Sequence, residues 1–191
     1  MERTLFALFT LALPSFAHAH IGAGEASGWM HGLSHPFSGL DHVCAMIAVG
    51  LWAAQMGGRA VWRVPLAFVS VMMLGGLLGM TAIPVPFIEA GIIMSLLVLG
   101  VLIAAAVRLP VLVSSAMIGV FALFHGYAHG AEIPQHVEGI DYAAGFMLAT
   151  ALLHASGIGM ALFLKQLGRA KLLRVAGGAV VSCGLYLWFA A

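Results

Sequence analysis

The sequence predicts an all-α polytopic membrane protein, a bundle of six transmembrane helices after a cleavable signal peptide. Of its 191 residues, 62% are hydrophobic and 8% are charged, whereas soluble domains carry roughly 25% charged residues. The apolar runs are continuous and reach the length of about 20 residues that a helix needs to cross a bilayer. Transmembrane β-barrels would instead require alternating polar and apolar positions.

Residues 1–19 have the three parts of a cleavable export signal. Arg3 provides a basic start, residues 5–13 form an apolar stretch too short to span a bilayer, and Ala17 and Ala19 flank a small-x-small cleavage position. Cleavage would leave His20 at the N-terminus of the mature chain, outside the cell membrane. The alternative is an uncleaved and poorly formed first helix.

Residues 20–191 are expected to form one transmembrane domain of six helices. Short turns that contain glycine or proline separate the apolar runs, such as those at Gly57 and Pro84. Proline near the start of a helix fits its usual place in the first turn. The expected spans are residues 37–56, 61–80, 87–107, 110–130, 139–164 and 172–190.

Basic residues fall on one side of this predicted bundle. With the mature N-terminus outside, the loops after spans one, three and five are cytoplasmic. Every lysine and arginine after the signal lies in or beside those loops: Arg59, Arg63, Arg108, Lys165, Arg169, Lys171 and Arg174. The positive-inside rule therefore predicts the bacterial inner membrane, with both mature termini periplasmic. The outer half carries acids alone and attracts cations, and no basic patch suits nucleic acid.

The sequence HPFSGLDH places three polar residues at the start of the first span. Ionisable residues inside a membrane are costly and usually functional. His35 precedes Pro36 and is expected just outside the helix, with Asp41 and His42 within it. Adjacent residues point about 100° apart on a helix, so one of the last two can bind an ion while the other orients a ligand on a neighbouring helix.

The sequence FHGYAHGAE places His125, His129 and Glu132 on one stripe at the end of the fourth span. Two histidines four residues apart on a helix can reach one metal ion. Gly126 and Gly130 lie beside them and should let another helix approach closely. The motif is not the HExxH of zinc proteases, because glycine follows the first histidine.

Two further ionisable residues are candidates for a translocation path. Glu89 lies near the start of span three, where a carboxylate can also stabilise a helix N-terminus without any ligand. His154 lies about 18 Å into span five, near the middle of the bilayer. It is expected to hand an ion onward, to carry a coupled proton, or to hydrogen-bond across the bundle.

These ligand types favour a divalent first-row transition metal. Neutral imidazole with carboxylate suits nickel, cobalt, zinc and iron, whereas calcium would take oxygen ligands alone. The two cysteines, Cys44 and Cys183, are far apart in the sequence and form no Cys-x-x-Cys metal motif. Histidine must lose its proton before it binds a metal, so binding should weaken in acid.

Both motifs resemble those of the HupE/UreJ family of bacterial membrane proteins, and the resemblance extends over the whole chain. Members accompany hydrogenase or urease systems and are regarded as nickel permeases, some of them linked to cobalt. The resemblance implies import of nickel or cobalt ions as cargo, no prosthetic group, and a functional link to hydrogenase or urease maturation. It implies these metal-binding positions: His35, Asp41, His42, His125, His129 and Glu132.

Other functions fit the sequence less well. An intramembrane hydrolase of the rhomboid type would need a Gly-x-Ser-Gly turn, and the serines at positions 114, 115 and 156 lack that context. No enzymatic activity is therefore expected. A membrane sensor or accessory subunit could instead bind metal or haem without transport. Haem ligation, however, would give Asp41 and Glu132 no role.

Overall fold

A computed structural model describes residues 28–81, 83–133 and 139–190 of the chain. Within these ranges every regular element is a helix, which confirms the all-α prediction. A short 3-10 turn, His35–Phe37, separates the first two α-helices. The α-helices are α1 Gly28–Ser34, α2 Leu40–Met56, α3 Ala60–Gly79, α4 Ile88–Ala104, α5 Val111–Ala131, α6 Gly139–Gln166 and α7 Lys171–Ala190.

Four of these helices, α3, α5, α6 and α7, are each long and apolar enough to cross a membrane. α2 reaches that length only together with α1, and the pair is bent by 81°. α4 has 17 residues, so it is about 26 Å long, slightly shorter than a typical hydrocarbon core. The described helices thus provide four spans, or five with the bent pair. A count of six remains a prediction, and the predicted signal lies outside the described residues.

The surface of the bundle is apolar, as a surface in contact with lipid should be. Large hydrophobic side chains are exposed on each of the long helices, for example Leu77 on α3, Val101 on α4 and Leu152 on α6. Soluble monomers rarely expose contiguous apolar patches of this extent. The chain is therefore a multi-pass membrane protein.

The break between α1 and α2 creates the polar corner that the first motif encodes. Pro36 lies in the 3-10 turn, and Gly39 follows with an extended backbone, φ −111° and ψ 126°, as the N-cap of α2. A Cβ at Gly39 would lie 2.5 Å from Asp41 Oδ1 and 2.8 Å from His42 Nδ1. A larger residue at this position would therefore displace these two side chains, which fold back over the start of α2.

Close contact between α3 and α5 depends on the glycines of the second motif. A Cβ at Gly126 would collide with the carbonyl group of Met72, and a Cβ at Gly130 with that of Gly76. Small residues at such positions let two helix backbones touch in a membrane. The predicted close approach of another helix is confirmed, and that helix is α3.

Glycines also let the backbone of α6 pack closely against α1 and α2. A Cβ at Gly145 would meet the backbone of Trp29 on α1, and a Cβ at Gly157 would meet that of Ile47 on α2. From the other side, Gly50 on α2 lies against the backbone of His154. α6 is therefore held at a fixed depth beside α1 and α2.

Basic side chains collect at one end of the bundle, the basic end, where α2, α4 and α6 finish and α7 starts. Lys165 Nζ on α6 donates to the carbonyl of Ala54 near the end of α2. Arg174 Nε on α7 donates to Ala104 O at the end of α4, at 2.7 Å. Cations at helix C-termini satisfy free carbonyl groups and interact favourably with the helix dipole.

Candidate metal centre

Four imidazole rings meet at the end of the bundle opposite the basic end. His35 comes from the 3-10 turn, His42 from the first turns of α2, and His125 and His129 from the last turns of α5. The ring centroids are 4.8 Å apart for His35 and His129, 4.1 Å for His129 and His42, and 5.0 Å for His42 and His125. The fold thus joins the two motifs into one row of histidines.

The outer part of this row, the outer group, consists of His35, His129 and Glu132. His35 Nε2 lies 3.1 Å and His129 Nδ1 3.9 Å from the same carboxylate oxygen, Glu132 Oε2. One potential ligand atom from each of the three residues lies within 4.8 Å of the other two. The side chain of Glu132 is 60% exposed and that of His129 is 6% exposed. The outer group therefore opens to solvent on one side and leads to buried rings on the other.

The inner part of the row, the inner group, consists of His42, His125 and His129. Asp41 Oδ1 accepts hydrogen bonds from the backbone N–H of His42, at 2.8 Å, and from His42 Nδ1, at 2.7 Å. This carboxylate fixes the proton on Nδ1 and leaves a lone pair on Nε2, which is buried and has no partner in the described structure. The hydrogen bonds of Asp41 in the described structure go to its own neighbour His42, whereas the sequence predicted that one of these two residues would orient a ligand on a neighbouring helix.

His125 and His129 complete the inner group with buried nitrogens. Nδ1 of His125 has no hydrogen-bond partner among the described residues, and neither ring nitrogen of His129 has one. Buried side-chain polar atoms are normally hydrogen-bonded. His129 belongs to both groups and packs against Phe146, with ring centroids 4.3 Å apart.

A match to known proteins covers both motifs. Residues 8–187 match the protein family described as HupE / UreJ protein. The chain belongs to the HupE/UreJ family. It is 50% identical over 182 residues to Protein HupE of Rhizobium leguminosarum bv. viciae, and the alignment covers 94% of each chain. No solved structure matches the chain.

Family membership confirms the resemblance that the two motifs predicted. The structure shows how the two motifs are arranged relative to each other in this HupE/UreJ protein. His35, His42, His125 and His129 form one contiguous row, Glu132 closes its outer end, and Asp41 lies behind His42.

His154 lies beyond the inner group and is not in contact with its histidines by ring stacking. Its side chain is 2% exposed, and neither ring nitrogen has a partner in the described part of the chain. The ring of Phe68 on α3 contacts both, with its centroid 5.0 Å from that of His154 and 5.6 Å from that of His125. Phe68 thus packs against both the inner group and His154.

Glu89 is not part of the histidine row. It is exposed in the first turn of α4 and belongs to none of the ion pairs found among the described residues. His31 is exposed on α1. His20 and His136 lie outside the described residues. Of the predicted positions, the fold therefore gathers the six from the two motifs and leaves Glu89 at the surface.

Sequence inspection missed Ser95, which contacts the inner group from α4. Its hydroxyl oxygen lies 3.1 Å from His125 Nε2, and the residue is 1% exposed. A single serine in an apolar helix gives no signal of such a role, because its hydroxyl can bond to a carbonyl of its own helix. Ser95 does make that bond as well, to Ile92 O at 2.6 Å.

Proposed function

We propose that the chain is a permease that imports a divalent transition-metal ion, nickel or cobalt, across the bacterial inner membrane. The main support is the inner group, which has four buried imidazole nitrogens without a partner among the described residues: His42 Nε2, His125 Nδ1, and Nδ1 and Nε2 of His129. Each unsatisfied buried polar atom costs about 1–3 kcal/mol. A neutral imidazole has one lone pair, so a bound metal ion would satisfy one of these nitrogens on each ring that it contacts.

The outer group serves as the entrance in this proposal. Glu132 and His35 take a hydrated ion from the solvent, and His129 belongs to both groups, so it can keep hold of the ion while the other ligands change. The ion next meets His42 and His125. His154, whose ring also contacts Phe68, then receives it near the middle of the membrane, or carries a proton that is coupled to transport.

Charge at the two ends of the bundle supports the direction of transport. The basic end faces the cytoplasm by the positive-inside rule, so the histidine row faces the periplasm, with both mature termini periplasmic. Acids without lysine or arginine at the periplasmic end raise the local concentration of cations. Cleavage of residues 1–19 by signal peptidase would fix this orientation.

Ligand chemistry supports a first-row transition metal as cargo. Imidazole nitrogens with one carboxylate suit nickel and cobalt, and a sulfur-free site does not favour copper(I). Membership of the HupE/UreJ family agrees with this choice. We further propose a functional link to hydrogenase or urease maturation, which would consume imported nickel. The metal is a substrate in this scheme, and no prosthetic group is needed.

Uptake by purified protein in proteoliposomes tests the permease. Radioactive nickel and cobalt should accumulate in vesicles that contain the wild-type protein, and His42→Ala and His125→Ala should reduce the initial rate at least tenfold. His31→Ala is the matched control, because His31 is exposed on α1 and outside the row; it should keep the wild-type rate. Parallel vesicles with and without a proton gradient show whether transport is proton-coupled.

Two results would contradict the permease. Unchanged uptake in both His42→Ala and His125→Ala would remove the proposed site. Equilibrium metal binding without any flux would identify a metal-binding accessory protein. A haem protein would show a Soret band after purification, but His42 and His129 are already in ring contact at 4.1 Å, which leaves no space for a macrocycle between them.

A further inference from the structure

Ser95 on α4 contacts the imidazole of His125. Its O–H donates to Ile92 O at 2.6 Å, so the single proton of this hydroxyl is already committed. The oxygen of Ser95 can therefore only accept a hydrogen bond from His125, whose Nε2 lies 3.1 Å away. Such a bond requires the proton of the neutral ring to be on Nε2.

A proton on Nε2 leaves a lone pair on Nδ1 of His125. Nδ1 is buried and has no partner within the described ranges, as is true of Nε2 of His42. The two rings are 5.0 Å apart and almost perpendicular, at 89°. Asp41 thus holds His42, Ser95 holds His125, and each leaves one ring nitrogen free to bind a metal ion.

We propose that Ser95 is a positioning residue that fixes the ring and tautomer of His125, so that Nδ1 binds the transported metal. This proposal rests on the proposed function and deepens it. It also predicts a difference between the two ligands. A carboxylate behind an imidazole raises its basicity, whereas the neutral hydroxyl of Ser95 does so less. His125 is then the weaker ligand of the pair and releases the ion more easily, as conduction requires.

Four proteins in detergent provide the test: the wild type, Ser95→Ala, Ser95→Thr and Ser114→Ala. Ser95→Thr keeps a hydroxyl that can accept the bond from Nε2. Ser114 is the matched control, because it is fully buried on α5 and its hydroxyl bonds to Pro110 O, away from any histidine. Cobalt(II) titrations followed by visible absorption give the affinity and the ligand field. Nitrogen-15 NMR of the metal-free proteins gives the tautomer of His125.

The expected results differ between a Ser95 that positions His125 and a Ser95 that is only part of the packing. Ser95→Ala should bind cobalt about tenfold more weakly, the usual effect of losing an outer-shell partner of a ligating histidine. Ser95→Thr and Ser114→Ala should stay within about twofold of the wild type. Metal-free wild type should carry the proton of His125 on Nε2, and Ser95→Ala should gain a population with the proton on Nδ1.

Two results would overturn the role of Ser95. One is an Nδ1–H tautomer of His125 in the metal-free wild type. This measurement does not depend on whether any variant folds. The other is a Ser95→Ala affinity within twofold of the wild type. Failure of the permease proposal would look different, because wild-type protein would then bind cobalt and respond to Ser95→Ala in titrations but move no metal in proteoliposomes.

Discussion

At the scale of single residues, the inner group is organised by what lies behind each imidazole. Asp41 places a carboxylate behind His42, and Ser95 places a hydroxyl behind His125. The aspartate was predicted as a functional residue because a charge inside a membrane is costly and needs a reason. The serine was not, because its cost is small and its proton can be satisfied within its own helix.

Replacing Asp41 should therefore act through His42. Asp41→Asn keeps an oxygen that can accept the bond from His42 Nδ1 but removes the charge that strengthens Nε2 as a ligand. We expect about 10–100-fold weaker metal affinity, measured as a rise in the nickel concentration that gives half-maximal uptake. Asp141→Asn is the control, because Asp141 is an exposed acid in the first turn of α6. Equal behaviour of the two variants would show that Asp41 contributes only general negative charge.

At the scale of the elements, glycines decide which helices touch. α3 and α5 are in backbone contact through Gly126 and Gly130, and this contact holds the two histidines of α5 beside α2. The sequence indicated that some helix would approach these glycines. The sequence could not predict that this helix is α3, because several helices carry small residues. Helix pairing depends on complementary shapes along the whole length of both helices.

Two glycine-to-alanine substitutions should have opposite effects on stability. Alanine is favoured over glycine inside a helix by about 1 kcal/mol, so Gly159→Ala, where a Cβ has open space, should leave the thermal unfolding midpoint unchanged or raise it. Gly130→Ala would force α5 away from α3 and should lower the midpoint, at a cost of about 1–3 kcal/mol for overpacking. Unfolding in detergent, followed by tryptophan fluorescence, measures both. A Gly130→Ala midpoint at or above that of Gly159→Ala would contradict the packing of α3 on α5.

At the scale of the whole molecule, charge divides the bundle into two ends. The ends of α2, α4 and α6 share the basic end through the bonds of Lys165 and Arg174. The histidine row, with Asp41 and Glu132, lies at the opposite end. The acidic end attracts cations, and the proposed orientation, with the basic end in the cytoplasm, follows the positive-inside rule.

Cysteine labelling on intact cells tests this orientation. In a background with Cys44 and Cys183 replaced by serine, Asp141→Cys should react with a membrane-impermeant maleimide, and Arg169→Cys should react only after the cells are opened. Both positions are exposed in the fold, so accessibility differs by side alone. The reverse pattern would invert the bundle and turn the proposed importer into an exporter.

The sequence by itself determined the all-α membrane class of the protein and the two polar motifs that mark the candidate site. Continuous hydrophobicity forces helices in lipid because each backbone group must find its partner within the segment. Costly polar residues stand out in such runs, so both motifs could be identified from local pattern alone. The family resemblance then pointed to the same six positions, and the family match covers them.

Only the tertiary structure decided how these positions meet. The break between α1 and α2 folds His35 back toward Glu132, residues that are 97 positions apart in the chain. The fold also turned Asp41 toward His42, brought Ser95 to His125, packed Phe68 against His154, and left Glu89 at the surface. These outcomes depend on contacts between distant helices, which no local periodicity encodes.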